Sequence, residues 1–185
     1  PLTSLVCIEN TTNKGGGACW DFTELEKIKT VCENHGLGYH LDGARLWNAL
    51  VKNQEDPKQY GALFDSISVC FSKGLGCPVG SVLVGSKEMI GNALRIRKVL
   101  GGGMRQSGFL AAAGIYALDN HIQRLQEDHQ KAKEIGEVLD KLGFIKKVEP
   151  IETNIIIFEL DESQMSEKEF LEKLAEKQIS IIGMG

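Results

Sequence analysis

The feature that most constrains this chain is an alternation. Short apolar runs rich in β-formers are separated by stretches of helical spacing, and two of the runs stop at a charged group. Leu37-Gly38-Tyr39-His40-Leu41-Asp42 reads as a buried strand with Asp42 at its carboxyl end. Ile67-Ser68-Val69-Cys70-Phe71 reads as another, and Lys73 follows it in a turn rich in Gly and Pro. Strand, helix and strand in succession require a parallel sheet with crossover helices. Parallel α/β sheets place ligands at the carboxyl ends of their strands. An aspartate and a lysine at two such ends therefore read as parts of one site.

The rest of the chain extends the pattern. Residues 5–8 form an apolar run that leads into a polar loop ending in Gly15-Gly16-Gly17. Asp21 with Glu24 three residues on has the form of a capping box, and Phe22, Leu25, Ile28 and Val31 follow at helical spacing up to His35-Gly36. The spacing predicts a helix over 44–52, a polar turn over 54–59 and a strand over 66–71. The strand at 81–84 follows the lysine turn so closely that it must run antiparallel to its predecessor. Ser86 is a candidate N-cap for a helix over 87–99. Beyond Gly101-Gly102-Gly103 comes a long helical stretch, uncharged over 109–118 and expected to be buried there, then amphipathic over 121–142. Runs at 144–148 and 154–159, an acidic helix from Ser166 to Lys177 and a run at 179–182 complete a β-β-α-β tail. We divide the chain into a large-domain portion, 1–120, and a small C-terminal α/β domain, 121–185. Pro1 at one end and a strand-like run ending at Gly185 at the other are read as cuts through a fold, so the chain is expected to be a fragment.

Composition narrows the classes of partner. A net charge of −4 argues against a general nucleic-acid surface, and no run is long enough to cross a membrane. The 5 cysteines are odd in number and lack paired CxxC spacing, which points to a reducing, cytoplasmic compartment without a disulfide framework. The histidines and cysteines do not cluster as metal ligands, so no metal is expected.

Lysine in water is a poor nucleophile at neutral pH, and packing in a Gly-Leu-Gly turn would make Lys73 a better one. Asp42 has a plain structural reading as a helix N-cap, with Arg45 one turn on as its ion-pair partner. Together, a lysine that can meet a carbonyl and an aspartate that can face a pyridinium nitrogen are what a protein offers to pyridoxal phosphate.

The segments HLDGARLWNA, SKGLGCPVGSVLVG and RKVLGGGMRQSGFLAAAGIYAL resemble the low-specificity L-threonine aldolases of the β-eliminating lyase group, over most of the chain. That resemblance implies part of an aspartate-aminotransferase-like large domain (pyridoxal phosphate fold type I) with a mostly parallel sheet, plus a small C-terminal α/β domain. It implies pyridoxal 5'-phosphate as cofactor, an amino-acid substrate, aldol cleavage of L-threonine or L-allo-threonine to glycine and acetaldehyde, and a homodimer or homotetramer. By position, the Schiff-base lysine falls on Lys73 and the pyridine-nitrogen carboxylate on Asp42. The arginine that helps hold the substrate carboxylate or the cofactor falls on Arg45. Ser72 becomes a donor to the cofactor phosphate, and Arg105 lies near a subunit interface and the phosphate of a neighbouring chain. Thr12 stands where the family has a histidine, and a threonine cannot act as a base near neutral pH. His40 is expected in the core behind the site. The phosphate loop, the ring-stacking residue and a second carboxylate-binding arginine would lie outside this chain. The alternatives are another pyridoxal-phosphate-dependent β-eliminating lyase, or a non-catalytic fragment lacking the complete cofactor site.

Overall fold

A computed structural model describes residues 2–183; Pro1, Met184 and Gly185, which carry the expectation of cut ends, lie outside the described residues. The first half of the chain folds as β1 (Leu5–Glu9), α1 (Phe22–Asn34), β2 (Gly38–Gly43), α2 (Leu46–Asn53), α3 (Pro57–Leu63), β3 (Ser66–Cys70) and β4 (Ser81–Gly85). These strands make one sheet in the order β1-β2-β3-β4, with β1–β2 and β2–β3 parallel and β3–β4 antiparallel. The sheet is thus the mostly parallel one expected, with its last strand reversed as the short lysine turn demanded.

Local sequence accounts for the boundaries. The Asp21 carboxylate accepts the Thr23 backbone N–H at 2.8 Å and starts α1, and Gly36 at φ 63° ends it. The segment expected to be a polar turn instead contains α3. Asp56 accepts the Lys58 backbone N–H at 2.9 Å and Pro57 occupies the first turn, so cap and proline together nucleate the helix.

The two faces of the sheet differ sharply. Tyr39, Leu41, Ile67 and Val69 point to one face and are buried against Leu25 and Cys32 of α1, Leu46 and Leu50 of α2 and Tyr60 of α3. His40, Asp42, Ser66, Ser68 and Cys70 alternate with them, point to the other face and are only half-buried. The strand ending at Asp42 is therefore buried on one side, not both.

The second half carries α4 (Lys87–Val99), α5 (Gly108–Asn120), α6 (Leu125–Leu139), a hairpin of β5 (Ile145–Val148) with β6 (Phe158–Leu160), and α7 (Glu167–Glu176). The long helical stretch is broken by a turn over 121–124. The apolar first part of that stretch is not buried as expected. Phe109 is 87% exposed and Ile115 and Tyr116 each 61%, and only Gly114 and Ala117 of α5 are buried. The run at 179–182 forms no strand, since no described segment pairs with it. Two contacts tie the tail to the loop after β1: Thr153 Oγ1 donates to the Gly17 carbonyl at 2.7 Å, and the Cys19 N–H donates to Glu152 Oε2 at 3.2 Å. Gly17 has φ 75°, and a Cβ there would collide with Thr153 Oγ1, so the close approach needs glycine.

Candidate active site

Asp42 sits at the carboxyl end of β2, in register with Glu9 on one neighbour and Ser68 on the other. Its Oδ1 accepts the Ala44 N–H at 3.0 Å, and its backbone carbonyl accepts the Asn10 N–H at 3.0 Å. The first bond orients the carboxylate and the second ties the strand end to the loop after β1. Arg45 caps α2 through its backbone only and forms no ion pair with Asp42; among the described residues neither side chain joins a salt bridge.

Lys73 lies in the turn after β3. The turn is closed by Gly76 N–H to the Lys73 carbonyl at 2.8 Å and by Cys77 N–H to the Phe71 carbonyl at 3.0 Å, with Gly76 at φ 73°. Beneath it, Leu75 and Cys77 are buried with Ala117 and Leu125, and His121 Nδ1 meets the Leu75 carbonyl at 2.7 Å. The turn is packed, yet the Lys73 side chain is exposed and is not sealed in by Gly74-Leu75-Gly76 as expected. Its ammonium donates to Cys70 Sγ at 3.4 Å. Cys70 shares the polar face with Ser68 and Asp42, so the amine folds back over that face. The carboxylate and the amine thus stand at the same edge of adjacent parallel strands, on one open surface.

Ser72 is exposed beside the lysine. Arg105 is exposed in the turn before α5, and no hydrogen bond or ion pair of its side chain links it to this corner. Thr12 Oγ1 donates to the Ala18 carbonyl at 3.4 Å, so it braces its own loop. His40 is on the polar face, not in the core, with Nδ1 2.7 Å from Ser66 Oγ.

Sequence reasoning missed several residues here. Cys70 touches the lysine, and Ser66 and Ser68 continue the polar row; the strict alternation of 66, 68 and 70 against 67 and 69 was the available signal. Asn10 and Thr11, 0% and 1% exposed, form the floor beside Asp42, and Thr11 Oγ1 has no hydrogen-bond partner. Burial, first of all, pushes the Tyr60 phenol well up, and Tyr60 donates to Glu55 at 2.7 Å while accepting from Asn10 at 3.4 Å. Burial and Glu152 push the Cys19 thiol up to about 12, which keeps it protonated. A separate cleft of about 420 Å³, lined by residues including Trp47, Gln54 and Ile122, contains neither Asp42 nor Lys73.

The fold has solved counterparts. The histidinol-phosphate aminotransferase of Clostridium acetobutylicum superposes with a TM-score of 0.68 at 19% identity, over 96% of this chain and 53% of that one. The threonine aldolase of Leishmania major does so with a TM-score of 0.71 at 28% identity, over 84% of this chain and 46% of that one. The class is therefore the aspartate-aminotransferase-like α/β fold. Within that class the chain belongs to the beta-eliminating lyase family, whose model matches residues 1–163. A low-specificity L-threonine aldolase of Arabidopsis thaliana is 41% identical over 184 residues, which is 98% of this chain and 51% of the relative. The chain spans about half the length of the curated relatives it matches.

Proposed function

We propose that this chain is the lysine- and aspartate-bearing part of a pyridoxal-5'-phosphate-dependent threonine aldolase, cleaving L-threonine or L-allo-threonine to glycine and acetaldehyde. The observation that carries this reading is the pairing of Asp42 and Lys73 on one open face at the ends of adjacent parallel strands. The donor set fits the cofactor: a carboxylate without a counter-ion for the ring nitrogen, and a primary amine without a carboxylate partner for the aldehyde. The bound cofactor would supply an electron-withdrawing ring that stabilises negative charge on the substrate's α-carbon.

The chain's own groups do the rest. Lys73 Nζ would be the amine that holds the cofactor's carbonyl carbon and, when the substrate amine takes that place, would be free to carry protons over the face beside Cys70. Asp42, oriented by the Ala44 N–H, would face the ring nitrogen and keep it protonated. A charge-assisted contact of this kind is worth roughly 1.5–3 kcal/mol and strengthens as charge develops. Arg45, without an ion-pair partner, takes the substrate carboxylate, and Ser72 and Arg105 serve the phosphate, Arg105 from a neighbouring chain. With the cofactor bound, Lys73 Nζ, released as a free amine, would take the β-hydroxyl proton as Cα–Cβ breaks and acetaldehyde departs, and would return it to Cα to complete glycine. Thr12, committed to the Ala18 carbonyl, takes no part as a base.

The same reading carries a domain boundary at the 121–124 turn, a homodimer or homotetramer, and a cytoplasmic setting. Among the described residues no helix is long and apolar enough to cross a membrane. The test is a visible spectrum with added pyridoxal phosphate, followed by borohydride reduction and peptide mapping. We expect a yellow species with the label confined to Lys73. Labels scattered over surface lysines would overturn the assignment of Lys73.

A further inference from the structure

We propose that Cys70 and Lys73 form a redox-closed pair, in which oxidation of the Cys70 thiol by a peroxide is followed by capture of the sulfur by Lys73 Nζ, giving a reversible sulfur–nitrogen bond. Four observations carry this.

Sγ and Nζ are 3.4 Å apart, in contact with nothing between them. The backbone on either side is held: Cys70 is in the ladder opposite Ser81, the Phe71 N–H donates to the Gly80 carbonyl at 3.0 Å, and Gly76 N–H closes the lysine turn at 2.8 Å. The two groups therefore meet as an oriented intramolecular pair, which raises the effective concentration of the amine at the sulfur far above that of any solute. Cys70 is half-buried and Lys73 exposed on the open face, so a small oxidant reaches the thiol.

Neither Cys7 nor Cys77 competes, and Cys32 is buried on the opposite face of the sheet. Cys7 lies on β1, with β2 between it and β3, and it pairs in register with His40, whose own partner is Ser66 rather than Cys70. Two ladder spacings of about 4.8 Å already exceed the reach of a disulfide. Cys77 Sγ turns away and donates to the Ala113 carbonyl at 3.5 Å. A sulfenic acid formed on Cys70 thus meets an amine first.

The chemistry balances. The thiol and one peroxide give the sulfenic acid and one water, the sulfur losing two electrons and the peroxide gaining them. The Lys73 ammonium loses one proton to water, the lone pair so freed attacks sulfur, the S–N bond forms as S–O breaks, and the leaving hydroxide departs as water with a second proton from nitrogen. The net change is the loss of two hydrogens. Two equivalents of an external thiol reverse it, restoring the thiol and the amine and leaving a disulfide. An amine already condensed with a carbonyl has no N–H to lose to the departing hydroxide, so the bridge and a loaded site exclude each other. That consequence for catalysis rests on the function proposed above; the bridge itself does not.

The test treats the cofactor-free chain with hydrogen peroxide, digests it with trypsin and weighs the peptides. We expect the peptide spanning Cys70 and Lys73 to be lighter by two hydrogens and uncut after Lys73, with dithiothreitol restoring cleavage. In Cys70→Ser, with the other cysteines retained, Lys73 should stay cleavable. Cleavage at Lys73 after Cys70 has been oxidised would overturn the proposal. Adding pyridoxal phosphate and borohydride afterwards separates the two claims. A bridge that forms in the full-length protein, with a reduced form that never labels at Lys73, supports the pair and overturns the function. Labelling at Lys73 that is equal before and after peroxide overturns the pair and leaves the function standing.

Discussion

Asp42 is held by two bonds, the Ala44 N–H of its own turn to the carboxylate and the Asn10 N–H of the loop after β1 to the backbone carbonyl, and by no cation. Its carboxylate is therefore positioned before any ligand arrives, so little of the energy of a new contact goes into ordering it. Asp42→Asn should keep both the Ala44 bond and the fold while losing the charge. In the full-length protein we expect kcat for threonine cleavage to fall roughly 100-fold or more, by analogy with removing one preorganised electrostatic partner. An unchanged melting temperature with that loss would place the effect in the chemistry; near-wild-type turnover would remove Asp42 from the role. At this scale the sequence was readable where a residue ends a strand. Asp42 and Lys73 declared themselves because a charge at the end of an apolar run is conspicuous. Cys70 did not, because a cysteine inside an apolar run looks like any buried thiol; its contact depends on how a flexible lysine folds back, and no spacing rule contains that. The absence of an Asp42–Arg45 pair was equally invisible, since one helical turn of separation permits the pair without requiring it.

Helix α6 is fastened to α2 by a single buried hydrogen bond, from His129 Nε2 to Asn48 Oδ1 at 2.9 Å, both residues 5% exposed or less. The bond lies under the lysine turn, where Leu125 Cδ2 stands 2.7 Å from the place a Cβ on Gly74 would take. Burial lowers the His129 pKa, with smaller effects from nearby charges, so the folded state holds the ring neutral. The unfolded chain takes up a proton at about pH 6.5 and the folded chain resists it, so stability is full above that pH and falls as pH drops below it. His129→Gln keeps a donor for Asn48 and removes the titration. We expect the fall in melting temperature between about pH 8 and about pH 5.5 to be smaller in the variant than in the wild type. An equal fall in both would assign the acid sensitivity elsewhere. Elements were legible wherever a cap and a period agreed, as in α1, α4 and α7. Helix α3 was signalled by Asp56-Pro57 but obscured by the polar residues around it. The run at 179–182 has the residues of a strand, yet a strand exists only with a partner, and sequence does not name partners.

The molecule has one finished side and one unfinished side. Helices α1, α2 and α3 cover the apolar face of the sheet, while β4 and the helices after it leave apolar side chains in water: Val82, Leu83 and Val84 are all about half exposed, and Leu100 and Phe109 are 80% and 87% exposed. The apolar composition of 109–118 foretold that something covers this surface but could not say that it is not the rest of this chain. Apolar surface gathered in this way drives association. We expect the chain to self-associate with rising concentration in sedimentation velocity, and the double variant Leu100→Glu with Phe109→Glu to remain monomeric at the same melting temperature. A monomeric wild type across the range would refute this. The sheet's alternation has one more consequence, for the way such a protein can tolerate change in length. Asp42 faces the reactants and Leu41 the core only because of odd–even parity along β2. One residue inserted within that strand exchanges the two, drowning the acid and presenting a leucine to the ligand, whereas two inserted residues restore the order. Lineages of this sheet should therefore change length in its loops, and a reading frame of two, invisible in any single substitution, guards the chemistry from within the backbone.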